Sequence, residues 1–150
     1  MDVSDITKNA VLISEEATLR EAVEAMIKNP TNTLLVTGDQ GVLVGEVSVS
    51  DLMDAVIPGN LNGDDVLELF ANEDAFEEAV VGAEDKLVSE FMSTDFSPVT
   101  AHDSLITIAA QAVGFQRSRI PVVDDENRPI GIISRQGLKQ ILAKTLKINK

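Results

Sequence analysis

The side chains best suited to bind a ligand are hydroxyl and carboxylate groups at the start of a predicted helix. Ser48, Ser50 and Asp51 follow Gly45 and precede an apolar helix face. A hydroxyl donates and accepts hydrogen bonds, whereas an ionised carboxylate only accepts them and is stabilised at the positive end of a helix. Taken alone, Asp51 is most simply a helix cap. A second interpretation comes from the recurrence of this pattern further along the chain.

The chain contains one unit twice, in an ungapped register in which residues 44–52 align with residues 130–138. Ser134 corresponds to Ser48, and Gly137 stands where the first copy has Asp51. Upstream, apolar residues in both copies follow the i, i+3, i+4, i+7, i+8 spacing of an amphipathic helix. They are Leu19, Ala22, Val23, Met26 and Ile27 in the first copy, and Leu105, Ile108, Ala109, Ala112 and Val113 in the second. A unit of about 60 residues buries little surface alone. We therefore expect the copies to pack together with a cleft between them, and we expect burial of Leu19, Val23, Met26, Leu105, Ala109 and Val113.

Each copy predicts the element order β-α-β-β-α. The first helix opens with a Thr18-x-x-Glu21 capping box, and Asn29-Pro30 ends it, because proline cannot continue a helix. Ser104 occupies the cap position in the second copy, and Pro121 is expected at the start or on the edge of its strand. The remaining predictions are strands at 11–13, 34–36, 42–47, 98–100, 120–123 and 130–133, turns at 38–41 and 124–127, and second helices at about 50–57 and 136–146.

Composition indicates an aliphatic globular core, because 44% of the residues are apolar while Trp and Tyr are absent. The absence of cysteine excludes disulfides, Cys-zinc sites and Cys nucleophiles. Neither a secretory signal nor an apolar run of the ~20 residues that span a bilayer is present. We therefore expect a cytoplasmic protein without membrane insertion.

The net charge of −13 argues against nucleic acid and anionic membranes as partners, since both are bound through Lys and Arg. Acidic residues are concentrated in the segment 60–87, which also carries apolar residues at helical spacing. We interpret this segment as a helical linker folded over the repeats, and a docking surface for another protein is the alternative. The predicted organisation is a first repeat at 1–59, the acidic linker at 60–87 and a second repeat at 88–150.

Catalytic and metal-binding motifs are missing from the sequence. There is no nucleophile elbow, zinc-protease motif or phosphate-binding P-loop. His102 is the only histidine and has no evident catalytic partners, so a solvated loop position is expected. The pairs Asp64-Asp65 and Glu77-Glu78 lack the spacing of a calcium loop. We expect neither an enzyme nor a metal protein.

The element order, with Gly-x-x-Ser-x-x-Asp before the last helix of the first copy, resembles the cystathionine-β-synthase (CBS) domain. The two copies, with lead-ins at 3–6 and 88–92, resemble a stand-alone CBS pair, or Bateman module. The resemblance implies an α+β fold of two tandem CBS repeats, related by pseudo-twofold symmetry and joined by the acidic helical linker.

The resemblance also implies a binding site for an adenine nucleotide between the repeats. The glycine would bring the backbone close to the ligand, the serine hydroxyls would reach phosphate or ribose oxygens, and the carboxylate would accept both ribose hydroxyls. Carried over, Val47, Ser48, Ser50 and Asp51 would face Ser97, Pro98, Ser118 and Arg119, with the last two residues at the phosphates. The complementary site would combine Ser134 and Gly137 with Val11 and Asn32-Thr33, and it lacks both the acid and the arginine.

By the same resemblance, the protein would sense AMP, ADP or ATP, with S-adenosylmethionine less favoured, and regulate an enzyme or transporter. CBS pairs form disk-like dimers through their helices, and Leu52, Ala55 and Val56 with Leu138, Ile141 and Leu142 are apolar residues that one pair leaves open. A homodimer is therefore expected. The alternative is a ligand-free CBS scaffold that serves dimerisation or protein interaction.

Overall fold

The structure is a computed structural model that describes residues 1–57, 62–114 and 119–148. The helices are α1 (Val3–Ile6), α2 (Leu19–Lys28), α3 (Val49–Val56), α4 (Gly63–Ala71), α5 (Glu73–Ala83), α6 (Val88–Phe91), α7 (Leu105–Gly114) and α8 (Arg135–Thr145). The strands are β1 (Thr7–Lys8), β2 (Leu12–Ser14), β3 (Thr33–Thr37), β4 (Leu43–Ser48), β5 (Val99–Thr100), β6 (Ile120–Val123) and β7 (Pro129–Ile133). The order β-α-β-β-α therefore occurs twice, as β2-α2-β3-β4-α3 and β5-α7-β6-β7-α8, and the predicted fold is confirmed.

The local signals that limit α2 act as predicted. Thr18 Oγ1 accepts a hydrogen bond from the Glu21 backbone N–H at 3.2 Å, and Glu21 Oε1 accepts one from the Thr18 N–H at 3.0 Å. The helix ends at Asn29, whose N–H donates to the Ala25 carbonyl. In the second copy, Ser104 Oγ accepts a hydrogen bond from the Thr107 N–H at 3.1 Å.

The strands form two small sheets, with the orders β2-β3-β4 and β1-β7-β6-β5. In the second sheet β5 and β6 are parallel, and β6 and β7 are antiparallel. Pro121 is the second residue of β6 and pairs with Ile132, while β5 reaches only Val122 and Val123. The proline thus lies near the start of β6, just before the residues that pair with β5. The N–H that it lacks is therefore not needed for pairing with β5.

The chain divides into two compact units that do not follow the order of the sequence. Unit 1 holds residues 1–10, 37–44 and 95–150, and unit 2 holds residues 11–36 and 45–94. In unit 1, β1 pairs antiparallel with β7, with Thr7 opposite Ile133. The N-terminal lead-in therefore belongs to the same unit as the second repeat, and the lead-in at 88–94 belongs to unit 2 with most of the first.

The core of unit 1 is a set of aliphatic side chains contributed by the lead-in, the sheet and α7. It comprises Val3, Ile6, Val99, Ile108, Ile120, Val122 and Ile133, each at most 2% exposed. Leu105, Ala112, Leu138 and Ile141 pack against it. Burial of this apolar surface, worth about 25 cal/mol per Å², fixes α1 and α7 on the sheet.

The core of unit 2 includes the acidic linker. Leu19, Ala55, Val56 and Ala83 are buried together, and Leu52, Phe76, Ala79 and Val80 pack against them. Phe76, Ala79, Val80 and Ala83 come from α5, so this helix of the predicted linker packs on Leu19, Ala55 and Val56 of the first repeat. The expectation that Leu52, Ala55 and Val56 stay open within one chain is wrong, since α5 covers them.

The predicted burial of the helix faces is confirmed for α2 and only partly for α7. Leu19, Ala22 and Met26 are buried, and Val23 is half-buried. On α7, Ile108 is buried and Leu105 and Ala109 are half-buried. Val113 is 81% exposed, so the prediction that it is buried is wrong, and Ile27 of α2 is 74% exposed. Each of them is adjacent to a residue of the same last turn that is turned inward, Ala112 in α7 and Met26 in α2, so the packed face of each helix is narrower than its apolar pattern.

Candidate functional site

Ser48 and Asp51 form a capping box at the start of α3. The Ser48 N–H donates to Asp51 Oδ2 at 2.8 Å, and Ser48 Oγ donates to the same oxygen at 3.1 Å. In return, Ser48 Oγ accepts from the Asp51 N–H at 3.3 Å. Both side chains are half-buried. Within the described part of the chain, the hydrogen bonds of Asp51 use Oδ2, and Oδ1 is left to accept others.

Val47 and Ser50 flank this box. Val47 is fully buried as the penultimate residue of β4, so its side chain anchors the strand and only its backbone is suited to contact a ligand. Ser50 is exposed in the first turn of α3. The structure therefore brings Val47, Ser48, Ser50 and Asp51 together at one strand-to-helix junction of unit 2.

Asp51 also lines a polar cavity of about 380 Å³ within unit 2. The other lining residues are Asp54, Ala55, Ile57, Lys86, Glu90 and Phe91. Lys86 Nζ donates a 2.7 Å hydrogen bond to the Ala55 carbonyl in the last turn of α3. This volume is at the lower end of the range of about 300–1,000 Å³ that holds small ligands. Carboxylates and an amine on its wall can bind hydroxyl groups of a polar ligand.

Ser97, Pro98 and Arg119 lie together at the other predicted half of the site, in unit 1. Ser97 and Pro98 directly precede β5, and Arg119 directly precedes β6. Because β5 and β6 are parallel, with Val99 opposite Val122, the residues before them lie at the same edge of the sheet. All three residues are half-buried. Ser118 lies outside the described residues, and the two halves belong to different compact units.

Gly45 and Gly131 have a role that differs from the one expected. A Cβ at Gly45 would lie 2.6 Å from Met92 Sδ and 3.0 Å from the Ser93 carbonyl. A Cβ at Gly131 would lie 2.6 Å from the Lys8 carbonyl. Both glycines therefore admit a lead-in segment against the strand, as the Glu46 N–H to Ser93 carbonyl bond of 2.9 Å shows for the first. The expectation that they bring the backbone to a ligand is not needed to explain them.

The second copy lacks the capping box. Ser134 is the N-cap of α8 without a side-chain cap bond, and its Oγ is buried with no hydrogen-bond partner among the residues that the structure describes. Gly137 stands at the position that corresponds to Asp51, and a Cβ there would lie 2.9 Å from the Ile6 carbonyl oxygen. Packing of α1 against α8 thus leaves no room for a carboxylate.

The other chemistry-bearing residues do not assemble into a site. His102 is 81% exposed, with Nε2 3.9 Å from Asp125 Oδ1, which agrees with the predicted loop position. Over the described ranges, no group of three His, Cys, Asp or Glu residues can hold a metal ion. The same ranges contain no helix with the length and apolar character needed to cross a membrane.

Lys86 and the cavity beside Asp51 were missed by the reasoning from sequence. Lys86 is the single cation in an acidic stretch, and its bond to α3 bridges 31 positions of the chain. No local pattern encodes such a contact. The Ser-x-x-Asp spacing, in contrast, is itself the signal of the capping box that the structure shows.

The comparison with protein families decides the identity of the fold. The profile of the CBS domain matches residues 3–58 and 88–144. The chain belongs to the CBS-domain family. The CBS-domain chain is 30% identical over 139 residues to a homoserine O-acetyltransferase of Methanocorpusculum labreanum, covering 92% of this chain and 23% of that protein. It is 29% identical over 154 residues to an uncharacterized protein of Methanocaldococcus jannaschii, covering 95% of this chain and 91% of that protein. The CBS-domain chain thus spans about a quarter of the length of the acetyltransferase.

Solved CBS structures share this architecture. The CBS domain of a CBS domain-containing membrane protein from Sphaerobacter thermophilus aligns with a TM-score of 0.75 and 26% identity, over 93% of this chain and 86% of that one. CBSX2 in complex with AMP aligns with a TM-score of 0.69 and 22% identity, over 97% and 98%. A CBS pair in complex with 5′-methylthioadenosine and S-adenosyl-L-methionine aligns with a TM-score of 0.66 and 20% identity, over 97% and 98%. The last two likenesses establish the fold.

Proposed function

We propose that this CBS pair is a non-catalytic regulatory module that binds an adenine nucleotide, AMP, ADP or ATP, and acts on a partner protein in the cytoplasm. The observation that carries the proposal is the geometry of Asp51. Its Oδ2 holds the start of α3, while Oδ1 makes no hydrogen bond within the described residues. A carboxylate fixed through one oxygen and open at the other is suited to accept a ribose hydroxyl.

The remaining predicted residues have roles that suit their positions. Ser50 is exposed beside Asp51 and can bond a ribose or phosphate oxygen, and the Val47 backbone and Ser48 complete this half. We propose that Arg119 and Ser118 contact the phosphates of the nucleotide, because a guanidinium group can donate two hydrogen bonds to phosphate oxygens. Ser97 and Pro98 are proposed to contact the nucleoside, as both lie at the sheet edge that Arg119 shares.

We further propose one nucleotide per chain. The second copy has Gly137 in place of the acid, and the Ile6 carbonyl leaves no space for a side chain there. A ribose would meet no carboxylate at that position. AMP in CBSX2 supports an adenine nucleotide as ligand, whereas the complex with S-adenosyl-L-methionine supports the less favoured alternative.

A regulated partner is proposed from the relatives. One is an acetyltransferase of which this chain matches only a fraction, and another is a CBS domain from a membrane protein. CBS pairs therefore occur as parts of larger proteins with an enzymatic or membrane component. We propose that the present chain regulates an enzyme or transporter.

Titration calorimetry with AMP, ADP, ATP and S-adenosylmethionine tests the ligand. We expect one nucleotide per chain. Asp51→Glu keeps an acid at the third helical position, where Glu completes a capping box well, but it displaces the carboxylate by one methylene. The variant should keep its melting temperature and bind at least about tenfold more weakly, a loss of about 1.4 kcal/mol.

Glu24→Gln is the matched control, because Glu24 is an exposed acid on α2 of the same unit and lies outside the proposed site and the cavity beside Asp51. Its affinity should equal that of the wild type. If no adenine compound binds the wild type, the ligand-free interaction scaffold is the correct function, and Asp51 serves α3 alone.

A further inference from the structure

The side of α5 that is turned away from the unit 2 core forms an open groove of about 580 Å³. Its lining residues are Asp74, Glu77, Glu78, Val81 and Gly82, and all five are exposed. They follow the spacing i, i+3, i+4, i+7, i+8, which places them in one stripe along the helix. The opposite face of α5 packs into the core. The groove is therefore presented to solvent by a helix whose position is fixed from the other side.

The groove is anionic in its first half and apolar in its second. Among the described residues, none of the carboxylates of Asp74, Glu77 and Glu78 has an ion-pair partner. Val81 is 57% exposed, and a Cβ built at Gly82 meets no atom within 4 Å. The second half therefore offers an apolar wall with room for an added side chain beside it.

The carboxylates of α5 repel one another. Asp74 is three positions from Glu77 and four from Glu78, and α5 carries no Lys or Arg that could balance them. Like charges at these spacings destabilise a helix. The apolar inner face of α5 would pack on the core equally well with neutral residues on the outer face. A cationic group bound in the groove would remove the repulsion, so the arrangement favours a positively charged occupant.

The negative charge of the chain is concentrated in the unit that carries the groove. Unit 2 contains seventeen Asp and Glu residues against three Lys and Arg, a balance of −14, whereas unit 1 contains eight against nine. Such a field repels nucleic acid, anionic lipid and a second copy of the same surface. Among the residues that the structure describes, no three acidic groups are placed to hold a metal ion. A cationic polypeptide remains as the occupant.

We propose that the α5 groove binds a basic amphipathic helix of the protein that this CBS pair regulates. Two cationic side chains one turn apart would pair with the carboxylates, and an apolar side chain one turn further on would lie at Val81 and Gly82. The apolar contact supplies affinity, and the charges set the register. The inference rests on the proposed function, which requires a partner protein, but the groove contains no residue of the proposed nucleotide site.

Fluorescence anisotropy with two labelled helical peptides tests the proposal. The first peptide carries two lysines one turn apart and a leucine one turn further on, and the second has serine in place of the leucine. At about 0.15 M salt, the Debye length of about 8 Å screens diffuse attraction to the acidic unit. The wild type should bind the leucine peptide at least about tenfold more tightly than the serine peptide, because the leucine side chain is buried in the groove.

Gly82→Gln closes the groove without a change of charge. The new side chain takes up the open space, and its Cβ meets no neighbour, so the variant should fold and bind the leucine peptide at least about tenfold more weakly. Gly114→Gln is the matched control, because Gly114 is also a helical glycine whose Cβ meets no atom within 4 Å, but it belongs to unit 1. This control should keep the affinity of the wild type.

A pair of double variants tests the charges. Glu77→Gln with Glu78→Gln should weaken binding at least about tenfold. Glu16→Gln with Glu24→Gln removes the same charge from exposed positions of unit 2 outside the groove and should leave binding nearly unchanged. Circular dichroism should show all variants folded.

Equal losses in the two double variants, or unchanged binding by Gly82→Gln, would show diffuse attraction to the acidic unit and overturn the inference. A wild type that binds neither peptide, or both alike, would do the same. No nucleotide is present in these measurements, so their outcome is separate from the calorimetric test of the ligand.

Discussion

The carbonyl oxygen of Ile6 lies 2.9 Å from the position that a Cβ atom would take at Gly137. Ile6 ends α1 in the N-terminal lead-in, and Gly137 is the third helical residue of α8, so the contact joins two distant parts of the chain in unit 1. Asp51 holds the corresponding position in α3. The two repeats therefore differ at this position because of packing. This reason for the difference does not depend on whether a ligand binds.

Gly137→Ala should destabilise the protein although alanine favours helices. The added methyl group displaces the Ile6 backbone or α8, and such overpacking costs about 1–3 kcal/mol, against a helix-propensity gain of about 1 kcal/mol. Gly82→Ala in α5 is the control, because a Cβ there meets open space, and it should stabilise by about 0.5–1 kcal/mol. Urea denaturation of both variants measures the difference. Equal stabilisation by both changes would show that α1 does not press on Gly137.

Asp51→Ala should lose stability and nucleotide affinity together. It removes the capping box of α3, worth about 1 kcal/mol, and hydrogen bonds to ribose of about 1.5–3 kcal/mol each. Glu21→Ala removes the equivalent box of α2. This control should lose similar stability in thermal denaturation and keep its affinity in calorimetry. If both variants lose affinity alike, binding depends on general stability and Asp51 is only a cap.

Arg119→Ala should weaken ATP binding more than AMP binding, because the arginine is proposed to pair with phosphates. We expect at least a tenfold loss for ATP, about 1.4 kcal/mol, and a smaller loss for AMP. Arg20→Ala, at an exposed position of α2, should leave both affinities unchanged. Equal losses for the two nucleotides would remove Arg119 from the phosphate end.

Arg128→Ala should destabilise unit 1 by about 1 kcal/mol. Arg128 Nε donates to the Gln40 carbonyl at 2.8 Å, and its Nη1 lies 2.7 Å from Glu126 Oε2. The side chain thus ties the turn before β4 to the turn before β7. Arg20→Ala is again the control, since the side chain of Arg20 makes an exposed ion pair of 3.8 Å with Glu84 and no other ion pair among the described residues, and its loss should cost less than about 0.5 kcal/mol. Denaturant midpoints that shift equally would contradict this role.

Sequence reasoning succeeded where short-range chemistry decides the structure. The capping box at Thr18 and Glu21 and the stop at Asn29-Pro30 depend on neighbours within four positions, and both were predicted correctly. The position of Pro121 near the start of its strand was predicted only from the N–H that proline lacks. The predicted second helices, at about 50–57 and 136–146, lie within one residue of α3 and α8 at each end.

The predictions that failed concern which structural element covers a given apolar helix face. Helical spacing marks an apolar face on α7, but nearly every residue of α7 is apolar, so the pattern did not reveal that Val113 is exposed. Likewise, Leu52, Ala55 and Val56 were expected to stay open, whereas α5 covers them. The strand β1 has two residues, too few for a period-two pattern, and its pairing with β7 depends on contacts across the chain. The residues of the candidate site remain a proposal, because their pattern was carried over from a family.

The pairing of β1 with β7 also determines when each unit can be completed during synthesis. Every residue of unit 2 lies between positions 11 and 94, so that unit has its whole sequence before α7 is translated. Unit 1 needs residues 1–10 and the last third of the chain. Thr7 can pair with Ile133 only after Ile133 has been synthesised. Contacts of such high sequence separation form slowly. Unit 2 can therefore be completed while the N-terminal segment of the nascent chain is still unpaired, and β1 can pair only after β7 has been translated.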